Sequence, residues 1–227
     1  MPDISLFIRR SAVAALSVAM AAVASAQSTA DQPQVSADPY IGYAEETYMD
    51  MDFEPNIATP EVPPHLKSAV KSYVRTVARD LKQKSLNVEL MREGEVIVVS
   101  IPTDDLFLPT DTLLADFSSR QLTKIKSMFR DPYMFKVVMT MNTDDTGSAE
   151  WRESLSLARL NSLYGWFIDE IDAGEASEDL ILIPFSLDSA EPVTDNLTRD
   201  NRKRNRRVEF YFIPGPKLIT NADSGKM

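Results

Sequence analysis

Apolar side chains recur at helical spacing just after a pair of prolines and predict the first long helix of the chain. The apolar positions are Leu66, Val70, Val74, Val77 and Leu81. Charged residues separate them, so that one face of the segment is apolar and the other polar. Residues 87–91 and 95–101 then flank a turn that contains Gly94, a pattern typical of a β-hairpin.

The second half of the chain alternates between apolar runs of helix length and of strand length. We predict helices over 122–129 and 148–171, and strands over 135–141, 180–184 and 208–213. Helices that alternate with strands, together with a hairpin, predict an α+β fold. The expected architecture is a two-layer α/β sandwich in which a mixed sheet packs against helices.

The first 26 residues have the features of a secretory signal peptide. Arg9 and Arg10 precede an apolar run over 11–23, and the small residues Ala24-Ser25-Ala26 follow it. Because the run is shorter than the roughly 20 residues of a membrane-spanning helix, we expect cleavage after Ala26 and export to the periplasm. A buried N-terminal helix or an uncleaved anchor is the alternative. No later segment is apolar and long enough to span a membrane as a helix.

Residues 27–62 contain eight acidic residues, no Lys or Arg, and several prolines. Like charges and prolines oppose a packed core, so we predict an acidic, mostly extended linker or tail. Its aromatic side chains could dock on the folded domain or on a partner protein of the envelope: Tyr40, Tyr43, Tyr48 and Phe53. We place the domain at 63–215, with an N-terminal helix at 63–85 and a motif-bearing core at 86–213. A C-terminal tail at 216–227 follows.

The composition excludes several classes of function. A net charge of −10 at pH 7 opposes binding to nucleic acid or to an anionic membrane surface. Since the chain has no cysteine, we expect neither disulfides, nor thiol chemistry, nor a lipid-bearing cysteine. The single histidine, His65, lies beside two prolines, and no His/Cys cluster or glycine-rich phosphate loop occurs. We therefore expect a protein that is not an enzyme and that holds no cofactor or metal.

Three short motifs lie in order along the predicted domain. The central motif runs from Thr143-Asp144 to Gly147 and continues as Leu155-Ser156-x-x-Arg159 near the start of the long predicted helix. Leu106-Phe107 precedes it as an opening motif. The closing motif comprises Asn196-x-Thr198, Arg202 and Asn205-Arg206-Arg207-Val208-Glu209. In this order and spacing the motifs resemble those of the OmpA-like domain family, the type found at the C-terminus of OmpA and in MotB, over residues 86–213.

The resemblance implies non-covalent binding of peptidoglycan through the meso-diaminopimelate of its stem peptide. That side chain ends in an ammonium beside a carboxylate, so its receptor needs an anion and a cation a short distance apart. The resemblance assigns the ammonium to Asp144 and the carboxylate to Arg159, and it places Arg206 near the ligand. Thr143 and Asn205 belong to the same implied site. Without the motifs, Asp144 would be interpreted as a turn residue and Arg159 as a solvated helix residue.

The chain departs from the family pattern at three places. Met141-Asn142 stands where the family has Gly-His, Arg152 replaces an asparagine, and Asn201 replaces a glycine. Arg152 matters most, because the asparagine that it replaces lies at the ligand in the family. A cation at this position has two possible effects: it can strengthen carboxylate binding, or it can pair with Asp144 and close the site. Because of the first effect, Arg152 is included in the candidate site.

Two functions are compatible with these patterns. The first is a periplasmic protein, associated with the cell wall or outer membrane, that anchors or scaffolds by binding peptidoglycan. In the second, the OmpA-like fold has a degenerate ligand site and acts as a protein–protein interaction or structural subunit of the envelope. The acidic N-terminal segment is the candidate surface for an envelope partner.

Overall fold

A computed structural model describes residues 40–227, and these residues contain a mixed five-stranded sheet. The predicted signal peptide and residues 27–39 of the predicted linker lie outside the described residues. The strands are β1 (Asn87–Met91), β2 (Val96–Pro102), β3 (Phe135–Asn142), β4 (Leu182–Asp188) and β5 (Arg207–Pro214). Their order in the sheet is β1-β2-β5-β3-β4. Only the β3–β4 pair of this sheet is parallel, and the other neighbours are antiparallel.

Helices lie between and beside these strands. They are α1 (Glu46–Met49), α2 (Phe53–Ala58), α3 (Lys67–Gln83), α4 (Ser119–Ile125), α5 (Ala149–Asp172), α6 (Arg199–Asn205) and α7 (Pro216–Asp223). Among residues 40–227, no helix combines the length and the apolar content that crossing a membrane requires.

The main core lies between one face of the sheet and helices α3, α4 and α5. Alternate side chains of the strands point into it, as the two-residue period of a strand requires. Phe129, Phe167, Phe210 and Phe212 form an aromatic group there, and all four are nearly inaccessible to solvent. The predicted hairpin, the first long helix and the helices over 122–129 and 148–171 are confirmed within a few residues. The strands over 135–141 and 208–213 are confirmed as closely. Strand β4 begins at Leu182 rather than Leu180.

The prediction of an extended linker is wrong for the described part of residues 27–62. Helices α1 and α2 cover the second face of the sheet, where Tyr48 and Ile57 are buried with Val96, Val138 and Ile213. The segment also surrounds a buried cation, because the Lys136 ammonium donates to the backbone oxygen of Asn56 at 2.6 Å. Tyr43, Tyr48 and Phe53 thus pack on the chain's own sheet, and Tyr40 stacks on Tyr133. Their burial outweighs the tendency of acidic residues and prolines to stay extended.

The prediction of a C-terminal tail over 216–227 is also corrected. Pro216 starts α7, a favoured position for proline because the first helical N–H needs no intrahelical partner. Leu218 is fully buried in the main core. Gly215 allows this turn, since a Cβ there would lie 2.3 Å from the carbonyl oxygen of Tyr133. A single buried leucine gave too little pattern to indicate the helix.

Candidate functional site

The sheet topology brings three motif segments to one edge. Strands β2, β3 and β4 end at this edge and β5 begins there, as the pairings of Pro102 and Asn142 with Arg207 show. The backbone N–H of Thr103 donates to the carbonyl oxygen of Arg206 at 3.0 Å and joins the loop after β2 to the start of β5. Loops that are far apart in sequence therefore supply side chains to one place.

The loop between β3 and α5 has a conformation that its glycine permits. Gly147 has φ +88°, in the left-handed region where a side chain is strained, and a Cβ there would lie 2.8 Å from the Trp151 ring. The hydroxyl of Ser148 then caps α5 by accepting a hydrogen bond from the backbone N–H of Trp151 at 3.2 Å. The glycine and the cap turn the chain sharply from strand to helix beside Asp144.

The Leu-Ser-x-x-Arg motif fixes the rotation of α5 over the sheet. Leu155 is buried, and the hydroxyl of Ser156 donates to the carbonyl oxygen of Met141 on β3 at 3.1 Å. Arg159 lies one turn further along the same face, because residues at i and i+3 or i+4 are neighbours on a helix. The motif therefore directs Arg159 towards the loops at the sheet edge.

Arg206 forms ion pairs with two carboxylates at this edge. Its guanidinium donates to Asp144 at 2.7 Å and to both oxygens of Asp104 at 3.0 and 2.9 Å. Burial by itself raises the pKa of Asp144, but hydrogen bonds from Thr146 and Arg206 outweigh it and hold that pKa below its ordinary value. The hydrogen bonds that Arg206 donates to Asp104 and, with a smaller effect, to Asp144 raise the pKa of Arg206. Asp144 is thus ionised and already paired with a cation of the chain.

Arg159 is a buried cation without a carboxylate partner among the described residues. Only 5% of it is exposed, and it donates to the carbonyl oxygens of Asp111 at 2.8 Å and Leu108 at 3.2 Å. Its guanidinium also lies 4.9 Å from the centre of the Phe107 ring. Burial lowers its pKa, and the nearby Asp104 opposes that effect. These neighbours orient the guanidinium without neutralising it.

Asp144, Arg159 and Arg206 line one open cavity of about 550 Å³, which we call the motif cavity. Its other charged groups are Asp104, Arg199 and Arg202, so arginines outnumber carboxylates around it. The remaining lining residues are Phe107, Leu108, Pro109, Thr110, Phe117, Thr143, Thr146, Trp151 and Leu155. The volume lies within the range of small-molecule sites, and apolar walls with a few converging charged groups are typical of them.

Arg152 does not lie in the motif cavity and does not pair with Asp144. Its guanidinium donates to the carbonyl oxygen of Gly147 at 2.8 Å and contacts the Asp188 carboxylate at 3.3 Å. The hydroxyl of Thr143 donates to the same carboxylate at 2.7 Å. The closure of the site by Arg152, one of the two roles expected for it, is therefore absent from this structure. Arg206 takes that position at Asp144 instead.

Asn205 organises the loop beside the site. Its side-chain oxygen accepts from the backbone N–H groups of Val193 and Thr194, and its amide donates to the carbonyl oxygen of Thr194 and to Asn196. These four bonds use the main donor and acceptor positions of the fully buried amide. Asn205 is not among the residues that line the motif cavity, and it acts by fixing the start of β5.

Several residues at the site were not identified from the sequence. Asp104 holds Arg206 with a bidentate ion pair, although an Asp-Asp pair in a loop is an ordinary sequence feature. Trp151, 43% exposed, forms part of the cavity rim. Arg199 contributes from α6 as well, beside Arg202, which the closing motif already contained. The only available signal for Asp104 was its position just before the opening motif.

Part of this chain is similar in sequence to known proteins. The chain is 25% identical over 134 residues to Probable lipoprotein YiaD of Escherichia coli. The matched region covers 59% of this chain and 58% of that protein. It is 38% identical over 80 residues to outer membrane protein Omp38 of Acinetobacter baumannii, covering 34% of this chain and 20% of that protein. The chain thus spans about half of one relative and a fifth of the other. No family model matches the sequence.

The fold is similar to that of a solved structure described as a MotB-like protein. The crystal structure of such a protein from Desulfovibrio vulgaris superposes with a TM-score of 0.56 at 23% identity, over 66% of this chain and 96% of that chain. The predicted α+β class, with a mixed sheet packed against helices, is confirmed. At this level of identity the likeness concerns the fold alone.

Proposed function

We propose that this chain is a bacterial envelope protein that binds peptidoglycan non-covalently through the meso-diaminopimelate of the stem peptide. The observation that carries the proposal is the shared cavity of Asp144 and Arg159, two buried charges of opposite sign. The motifs that supply these residues resemble those of OmpA-like domains. The names of the two relatives, a lipoprotein and an outer membrane protein, support a place in the envelope.

In this proposal Arg159 receives the carboxylate of the ligand. A buried guanidinium that bonds only to carbonyl oxygens can gain a charge-assisted bond from an entering anion. Each such bond contributes about 1.5–3 kcal/mol. Phe107 and the two carbonyl groups hold the guanidinium in place before the ligand arrives, which lowers the entropic cost of binding.

Asp144 receives the ammonium of the ligand. Because Arg206 already contacts this carboxylate, the ammonium has to share it or displace the Arg206 guanidinium. Asp104 can keep Arg206 paired during that exchange, since it contacts two other nitrogens of the same group. Binding of one site is therefore expected to be weak, and firm attachment arises when many copies face one polymer.

Retention on purified peptidoglycan sacculi tests the proposal. We expect Asp144→Ala and Arg159→Ala to reduce the fraction that sediments with sacculi by tenfold or more, about the effect of losing one charge-assisted bond. Arg79→Ala and Asp80→Ala are matched controls, because both residues are exposed on α3 and line neither cavity. Melting temperatures of all variants would establish that they fold. Equal retention of site variants and controls would refute the assignment.

A second function is favoured by the Arg206–Asp144 ion pair at 2.7 Å, which occupies the carboxylate. In this case the fold persists with a degenerate ligand site and serves as an interaction or structural subunit of the envelope. Soluble meso-diaminopimelate discriminates between the two functions. A rise in melting temperature at millimolar ligand supports peptidoglycan binding, and the absence of any rise supports the interaction subunit.

A further inference from the structure

A second cavity, of about 740 Å³, lies on the sheet face that α1 and α2 cover. Among the described residues, none lines both this cavity and the motif cavity. Its apolar walls are formed by Phe53, Ile57, Ala58, Val62, Met91, Leu187, Val193 and Tyr211. Met91 and Val193 remain 43% and 52% exposed. The cavity thus offers open apolar surface that residues 40–227 do not cover.

The basic residues of this cavity each have a carboxylate partner already. Arg207 pairs with Glu209 at 2.9 Å, and the Tyr211 hydroxyl donates to the same carboxylate. Lys67 and Arg92 both contact the buried carboxylate of Glu95, at 3.1 and 3.3 Å. Two cations share the Glu95 carboxylate and the third pairs with Glu209, so each basic group of this polar floor already contacts a carboxylate.

Three glutamates at the cavity remain uncompensated. Glu54, Glu61 and Glu191 are exposed, and no side-chain hydrogen bond or ion pair joins them to another described residue. They lie on α2, on the segment before α3, and on the loop after β4, so they surround the opening from separate elements. An apolar groove with unpaired carboxylates at its rim complements a ligand that is both apolar and cationic.

We propose that this second cavity binds a basic, amphipathic peptide segment of a partner protein. Apolar side chains of the peptide would enter between α2 and the loop after β4, and its Lys or Arg side chains would pair with Glu54, Glu61 and Glu191. The adjoining segment of this chain does not fit by charge, because residues 27–39 contain Asp31 and Asp38 and no basic residue. This binding is separate from the proposed attachment to peptidoglycan.

Anisotropy of a short fluorescein-labelled peptide, with leucine and lysine at helical spacing, measures this binding. We expect the combined variant Glu54→Gln, Glu61→Gln, Glu191→Gln to bind it about tenfold more weakly at low salt, as three exposed ion pairs are lost. The control carries Glu153→Gln, Glu175→Gln, Glu178→Gln, which removes the same charge from exposed positions outside the cavity and should bind as the wild type does. Val193→Ser should weaken binding at high salt as well.

Three results would overturn the proposal. The first is equal affinity of the two combined variants, and the second is equal binding of a matched peptide with glutamate in place of lysine. The third is self-association in sedimentation that disappears in the Glu54, Glu61, Glu191 variant. That result would assign the cavity to a second copy, whose α6 carries Arg199, Lys203 and Arg204 next to the exposed Leu197. Loss of sacculus retention would not bear on any of these readouts.

Discussion

At the scale of single residues, some members of the central motif set the course of the backbone and others face the motif cavity. Gly147 permits the turn, and Ser156 attaches α5 to β3. Among the residues of the central motif, Asp144 and Arg159 present charges to the motif cavity. Thr146 and Arg206 hold Asp144, and Phe107 lies beside the Arg159 guanidinium. Substitution of Gly147 or Ser156 is therefore expected to lower the stability of the protein and to affect binding only as a consequence.

Substitution of one glycine before α5 and one inside it by alanine tests whether Gly147 contributes to stability. Gly147→Ala should destabilise the protein by about 1–2 kcal/mol, because alanine is strained at φ +88°. Gly165→Ala is the matched control, since nothing lies within 4 Å of its Cβ position inside the helix. That substitution should stabilise by about 0.5–1 kcal/mol. Urea unfolding measures both, and effects of the same sign would contradict the interpretation.

Lys136 gives a pH-dependent contribution to stability. Burial lowers its pKa to about 7, and the positive charge of Arg92 adds to the effect. In the unfolded chain the lysine keeps its proton up to about pH 10. Between these values the unfolded state binds more protons, so the free energy of unfolding should rise from pH 7 to pH 9. Lys136→Met should flatten that rise in urea unfolding, and an unchanged slope would refute the assignment.

At the scale of elements, the segment with α1 and α2 is part of the folded domain. It covers the second face of the sheet and provides one wall of the second cavity. Asn56 links it to the sheet, since its amide donates to two carbonyl oxygens of the segment while its own oxygens accept from Lys136. An acidic tail would have none of these contacts.

Two isoleucines of this segment provide a direct test. Ile57→Ala should destabilise by about 2–4 kcal/mol, because Ile57 is 7% exposed and its truncation leaves a cavity against the sheet. Ile41→Ala should have almost no effect, since Ile41 is 85% exposed. Thermal unfolding compares the two variants. If both were neutral, the segment would contribute nothing to the stability of the domain.

At the scale of the whole molecule, the two cavities differ in local charge although the chain carries −10 overall. Arginines outnumber carboxylates around the motif cavity, and glutamates outnumber basic residues around the second. Net charge alone therefore indicated little about the ligand proposed for either cavity. This separation of charge is what the two proposals, a carboxylate-bearing ligand at one cavity and a cationic one at the other, require.

The central position of β5 in the sheet predicts where the molecule is most stable. All of its residues are buried, and β2 and β3 pair with it on both sides. Its amides should therefore exchange with solvent most slowly, at rates set by global unfolding, whereas those of the edge strand β1 should exchange faster. Hydrogen exchange followed by mass spectrometry measures this order. Slower exchange of β1 than of β5 would contradict the topology.

The sequence by itself determined the elements whose patterns are local. The hairpin, α5 and the strands of the main core follow from apolar spacing, and the motif around Asp144 and Arg159 indicated the candidate site. Short helices without a repeated pattern, α1, α2 and α7, were missed. Their stability comes from surfaces that other parts of the chain supply.

Only the tertiary structure decided the partners of the charges. Arg206 rather than Arg152 occupies Asp144, because antiparallel pairing brings the start of β5 beside the end of β3, whereas Asp188 at the end of β4 holds Arg152. Strand order fixes these neighbours, and strand order is not encoded in the spacing of apolar residues. The same order, with α2 laid across it, also formed the second cavity from residues between 53 and 211.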